Sequence, residues 1–383
     1  MLQRSIVEQG NEDRLYNFFE KVRSGEPVTL GVIGGSITQG ARASTMNQRY
    51  ANRIAAWLSE KFPSSNVKLI NAGIGGTGSN YGCLRVKDDL LKYNPDLVVI
   101  EFSVNDAALQ DLSMPTYEGV VRQVLETPAA VLLLFTMCSV EPGTKNLEKI
   151  LMPGTEPVFE NGLIRGGNVQ YWHAQIGHHY ELPMISYRDA VWPEIAAGRL
   201  KWDDLMADRV HPSDRGHEII ANLIVSYLQG AFGSFNEIHW DKKINESQLP
   251  SCLVSDRFVR IDYRTAEVLE PIFMSGWKRE TCYGRTMWTA TKPGSEIQFQ
   301  VNGTGVEAVL QTEVNRGGRV QFQVNELPPV VRSCQRSDWS LPVIIGLADS
   351  RKTEKWVVTI KTLPATTGDD SSVKLVGLAG LGY

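Results

Sequence analysis

Five short runs between residues 28 and 187 are apolar almost without interruption: VTLGVIG (28–34), VKLINAG (67–73), DLVVIEFS (96–103), AVLLLFTM (130–137) and LPMISY (182–187). A strand with one wet face alternates apolar and polar residues. A strand apolar throughout has both faces covered, the condition of a parallel sheet wrapped by helices. Helical spacing fills the intervals at 46–62, 80–93, 116–127 and 165–180, with a last helix over 214–229. Asn11 caps a further helix over 11–24, with Glu12 and Asp13 in its first turn and Gly25 after its end. This alternation predicts an α/β fold, a doubly wound five-stranded parallel sheet whose function sits at the carboxyl ends of the strands.

A chain of 383 residues is long for one domain, and its character changes after Phe232. Residues 233–250 read as a linker, and from 251 onward the helical spacing stops. EIQFQVNGTGVEAVLQTEVNRGGRVQFQVN alternates apolar and polar residues around glycine turns, as do KWVVTIKTL and SVKLVGLAGLGY. That pattern predicts a C-terminal β-sandwich over 251–383, following a first domain over 1–232. No run is apolar over the ~20 residues of a membrane span, and a net charge of −4 leaves no footprint for nucleic acid or an anionic membrane. The five cysteines are scattered without a CxxC pair, and the N-terminal stretch is charged. Reduced thiols and a cytoplasmic location are therefore expected. Oligomeric state is not set by these features.

Two glycine loops invite a phosphate. GSITQGAR (35–42) has the GxxxxG of a phosphate loop but Ala41 and Arg42 where lysine and a hydroxyl residue belong. GIGGTG (73–78) fits a dinucleotide fingerprint with Glu101 downstream, yet it follows the second strand and leaves the polar residues at the other strand ends without a purpose.

Those residues make a set. Ser36 follows the first strand, Gly75 and Gly76 the second, Asn105 and Asp106 the third. Asp208 and His211 stand three apart just before the last helix. A parallel sheet brings all of them to one edge. A serine hydroxyl becomes a nucleophile when an imidazole takes its proton, and a carboxylate fixes that imidazole's tautomer. The tetrahedral oxyanion needs preorganised donors, which the backbone at Gly76 and the Asn105 amide offer. No metal or other cofactor is required. Taken singly, each residue has a plainer reading: a turn serine, a helix cap at Asn105-Asp106, a capping Asp208.

The blocks GGSIT, NAGIGGTGS, FSVND and DRVHP resemble, in order over about residues 28–230, those of the SGNH (GDSL-type) hydrolase family. Gly35 stands where that family usually has Asp, and Val104 where glycine is common. The resemblance implies a flavodoxin-like α/β core and a serine esterase mechanism. In it Ser36 is the nucleophile, His211 the base and Asp208 its orienter, with Ser36 N–H, Gly76 N–H and Asn105 as the oxyanion hole. The two-domain layout resembles carbohydrate acetylesterases with an appended jelly-roll-like domain, implying acetylated oligosaccharides as substrate. A general short-chain esterase, lysophospholipase or thioesterase with a purely structural β-domain is the alternative.

The β-region holds Trp277, Trp288, Trp339 and Trp356, which are core residues or sugar-stacking faces. His173, His178 and His179 are too poorly spaced for a metal and lack an evident acidic partner. They and His217 are expected at the surface or capping a helix.

Overall fold

The first strand of the computed structural model, β1 (Ile6–Glu8), lies outside the apolar runs. Those runs supply β2 (Val28–Gly34), β3 (Val67–Gly73), β4 (Leu97–Glu101), β5 (Ala130–Phe135) and β6 (Met184–Ser186). The structure describes residues 1–109, 112–139, 158–160, 163–165, 169–237, 249–364 and 371–382, and it divides into two compact units, Met1–Ser255 and Asp256–Tyr383.

In the first unit the sheet order is β1-β6-β5-β4-β2-β3. The five expected strands are parallel to their neighbours, and β1 adds a sixth, antiparallel, against β6. Strands β4, β5 and β6 are buried at every residue, whereas β3, on the sheet's edge, is mostly half-buried. Because β2 lies between β3 and β4, the winding reverses at β2, and the crevice at that switch point is where ligands bind in open α/β sheets.

Seven of this unit's helices are α1 (Asp13–Ser24), α2 (Tyr50–Lys61), α3 (Ser79–Asp89), α4 (Ser113–Leu125), α5 (Val169–His179), α6 (Tyr187–Ala196) and α7 (Asp214–Asn236). α7 packs on α1 and α2, while α4 packs on α3 and α5, giving the two helical layers of a doubly wound fold. α6 was not expected, since it has Pro193 inside and no clear apolar stripe. It starts because the Ser186 side chain accepts the Asp189 N–H and ends β6 early. α7 outruns its expected end at 229 because its last turns bury Phe235 against Tyr16 and Phe19 of α1. The expected linker, 233–250, thus begins inside α7, and its middle, 238–248, is outside the described residues. Beyond it the chain is held again: buried Glu118 of α4 accepts the backbone N–H groups of Leu253, Val254 and Ser255 at 2.5, 2.8 and 3.1 Å.

The second unit is antiparallel β throughout its main sheet. Its strands are β7 (Ile261–Thr265), β8 (Phe273–Ser275), β9 (Lys278–Cys282), β10 (Arg285–Ala290), β11 (Glu296–Gln311), β12 (Arg319–Val324), β13 (Val330–Ser333), β14 (Pro342–Leu363) and β15 (Val373–Leu381). They run β9-β10-β15-β11-β14-β12-β13, with β8 also on β11 and β7 on β15. The first half of β11 alternates half-buried and buried residues, and the second half is buried on both faces. The change comes at register shifts around Gly303–Gly305 and Val306–Glu307, where the long β11–β14 pair is interrupted and the sheet can turn over its own core. Trp277, Trp288 and Trp356 belong to that core, so for these three the packing reading holds. Trp339 is 68% exposed.

Candidate active site

Ser36 opens a single helical turn, Ser36–Gln39, directly after β2. The turn is tied down on all sides. The Thr38 hydroxyl meets the Tyr50 hydroxyl at 2.9 Å, the Asn71 amide donates to Thr38 O at 2.8 Å, and Gly75 N–H donates to Gln39 Oε1 at 3.1 Å. The glycine loop after β3 therefore lies against the serine turn: a Cβ on Gly75 would stand 3.7 Å from the Ser36 Cβ. Gly76 has φ +72°, a conformation that side chains disfavour and that sets the direction of its N–H.

On the other side, Asn105 begins a short helical turn after β4. Its amide oxygen occupies the space that a side chain on Gly35 would need, so Gly35 lets the Asn105 amide sit where it does. Val104 sits at φ −84°, ordinary right-handed backbone that asks for no glycine.

The loop before α7 delivers the remaining pair. Ser36 O–H donates to His211 Nε2 at 2.9 Å, and His211 Nδ1–H donates to Asp208 Oδ2 at 2.9 Å. Asp208 Oδ1 accepts the N–H groups of Val210 and His211 at 2.9 and 2.8 Å, and Arg42 Nε donates to Oδ2 at 3.0 Å. Partial burial opposes the charge on Asp208, but the hydrogen bonds from His211, Val210 and Arg42 outweigh it and hold the carboxyl well below its usual range. A carboxylate on one side of the imidazole and a serine hydroxyl on the other form the arrangement in which an imidazole can take a serine proton. Arg42 was not foreseen in this role. It is held at φ +67°, and no sequence spacing links it to residue 208.

Two expectations about histidine are corrected. His173 is fully buried with an acidic partner, its Nε2 3.1 Å from Asp106 Oδ2, and its ring stacks on Tyr117 with centroids 3.5 Å apart. His217 is also buried, stacked on Tyr50, and burial lowers its pKa to about 4. Helical position alone does not say which side a histidine faces. His178 is exposed beside Glu8, and His179 meets Ser251 O. Glu101, the acidic residue of the dinucleotide reading, is buried and accepts hydrogen bonds from Ser103 and Thr136.

Residues 32–219 match the GDSL-like Lipase/Acylhydrolase family. An acetylxylan esterase of Geobacillus stearothermophilus is 25% identical over 221 residues, covering 52% of this chain and 93% of that protein. The crystal structure of a two-domain esterase active on acetylated mannans, co-crystallised with mannopentaose, superposes on 100% of this chain and 98% of its own, with a TM-score of 0.83 and 26% identity. Its coverage includes the β-unit as well as the α/β unit. Residues 32–219, which carry Ser36, Gly76, Asn105, Asp208 and His211, are a GDSL-like Lipase/Acylhydrolase domain.

Proposed function

We propose that the chain is a serine esterase that removes acetyl groups from carbohydrates through an acyl-enzyme. The hydrogen-bonded line Ser36–His211–Asp208 carries the reading, and the two relatives, which act on acetylated xylan and acetylated mannans, support the substrate class. As Ser36 Oγ bonds to the acetyl carbon, its proton passes to His211 Nε2. Asp208 stabilises the imidazolium that results. The carbonyl oxygen becomes an oxyanion, met by Ser36 N–H, Gly76 N–H and the Asn105 amide. Collapse expels the sugar oxygen, which takes the proton from His211. Water then gives its proton to the same imidazole and bonds to the acyl carbon, the bond to Ser36 Oγ breaks, acetate leaves, and His211 returns the proton to Ser36. The reaction needs no cofactor.

Among the described residues no helix is long and apolar enough to cross a membrane, and no disulfide joins the five cysteines. These features suit work on acetylated oligosaccharides in the cytoplasm. The test is acetate release from acetylated manno- and xylo-oligosaccharides, beside p-nitrophenyl esters of increasing acyl length. A serine-directed fluorophosphonate should label Ser36 once. Ser36→Ala should abolish both labelling and turnover. Labelling that survives Ser36→Ala would sink the assignment, and a preference for long acyl chains would replace the acetylesterase by a lipid-type hydrolase.

A further inference from the structure

Asp106 directly follows Asn105, and the relay does not use it. Its side chain is buried, and its two oxygens reach different elements. Oδ1 accepts the N–H of Ser79 at 2.7 Å. Ser79 is the first residue of α3, three positions past Gly76. Oδ2 faces His173 Nε2 of α5 at 3.1 Å, and a carboxylate has no proton to give, so the imidazole donates. His173 is in turn clamped against Tyr117 of α4, with the rings within 4° of parallel. The approach to Ser79 is close enough to exclude a side chain at position 78, where a Cβ would stand 2.5 Å from Asp106 Oδ1.

An oxyanion hole works only if its donors are fixed before charge develops. Here two donors come from two loops on different strands, and each loop ends within three residues of this one carboxylate. We propose that the buried Asp106–His173 pair is the positioning device of the oxyanion hole, holding the Asn105 turn and the Gly76 loop in mutual register. The inference rests on the reading of Gly76 and Asn105 as oxyanion donors. Asp106 and His173 touch no substrate; they act through the donors. Ser79 Oγ, 2.6 Å from Thr116 Oγ1 of α4, fixes the same corner from the other side.

Turnover of p-nitrophenyl acetate by His173→Gln, His173→Asn and Asn105→Ala, singly and combined, tests the proposal. Gln keeps an amide N–H within reach of Asp106 and should stay within about threefold of the parent. Asn is too short to reach and should lose about 10–100-fold in kcat at nearly unchanged KM, a loss no larger than that of deleting one oxyanion donor. Because the loss acts through Asn105, His173→Asn should cost little further in an Asn105→Ala background, the non-additivity expected of coupled residues. Three results overturn the proposal: full activity of His173→Asn, a rise in KM with kcat intact, or losses that add in the double variant. Full activity of Asn105→Ala would remove the oxyanion reading itself, and the brace with it. A large loss in Asn105→Ala beside an unaffected His173→Asn removes the brace alone.

Discussion

A methyl group at position 35 would land on the Asn105 amide oxygen, so at the scale of single residues Gly35 and Asn105 are one choice. A side chain there, such as the aspartate usual in the SGNH blocks that this sequence resembles, would need the Asn105 amide to shift. The relay has a similar internal order. In the proposed mechanism His211 moves the proton, while Asp208 orients the ring and stabilises its charge, so their losses should differ. His211→Ala should lower kcat by about 10⁵–10⁶-fold and Asp208→Ala by one to two orders less. Steady-state hydrolysis of an aryl acetate measures both, and parent-like activity in His211→Ala would exclude the relay. Since Asp208 is held well below the usual carboxylate range, acid inhibition in moderately acidic buffer should not come from losing its charge.

At the scale of elements, the strand ends gather titratable groups that the sheet buries. Burial raises the Glu101 carboxyl to about 7 from 4.5, against the hydrogen bonds of Thr136 and Ser103. The folded state therefore holds this proton more tightly than the unfolded chain. Its stabilising contribution is complete below about pH 4.5 and is lost as the pH rises through about 7. The shift is worth about 3 kcal/mol. His217, lowered by burial to about 4, works the other way and removes stability as the pH falls below the usual histidine range. Glu101→Gln keeps an acceptor for Ser103 and Thr136 without the charge, so its advantage over the parent should grow between pH 4.5 and 8. Denaturant unfolding at several pH values reads this difference directly, and a gap independent of pH would show that Glu101 titrates normally. The strands were legible in the sequence because continuous burial writes itself as continuous apolarity, and the relay because parallel topology gathers strand ends. What stayed illegible depends on contacts between distant elements: β1 is three residues long and mostly exposed, α6 lacks a stripe, and Arg42, His173 and His217 take their roles from partners on other elements.

At the scale of the whole molecule, the β-unit has one tryptophan outside its core. Trp339 stands 68% exposed in the turn before β14, and it is the candidate sugar contact of that unit. Trp339→Ala should raise KM for acetylated oligosaccharides roughly fivefold, about 1 kcal/mol, and leave a small aryl acetate unchanged. Equal effects on the two substrates would make the residue structural. The boundary between the units also has a chemistry. Glu118, wholly buried, takes the amides of Leu253, Val254 and Ser255 together with the Tyr180 hydroxyl. For anyone exchanging modules, the graft point is set by that carboxylate rather than by the end of the last helix. A foreign C-terminal partner can be joined after Ser255. Cut at Phe232, the same α/β unit would keep Ser36, Asp208 and His211 but leave Glu118 without its three backbone donors.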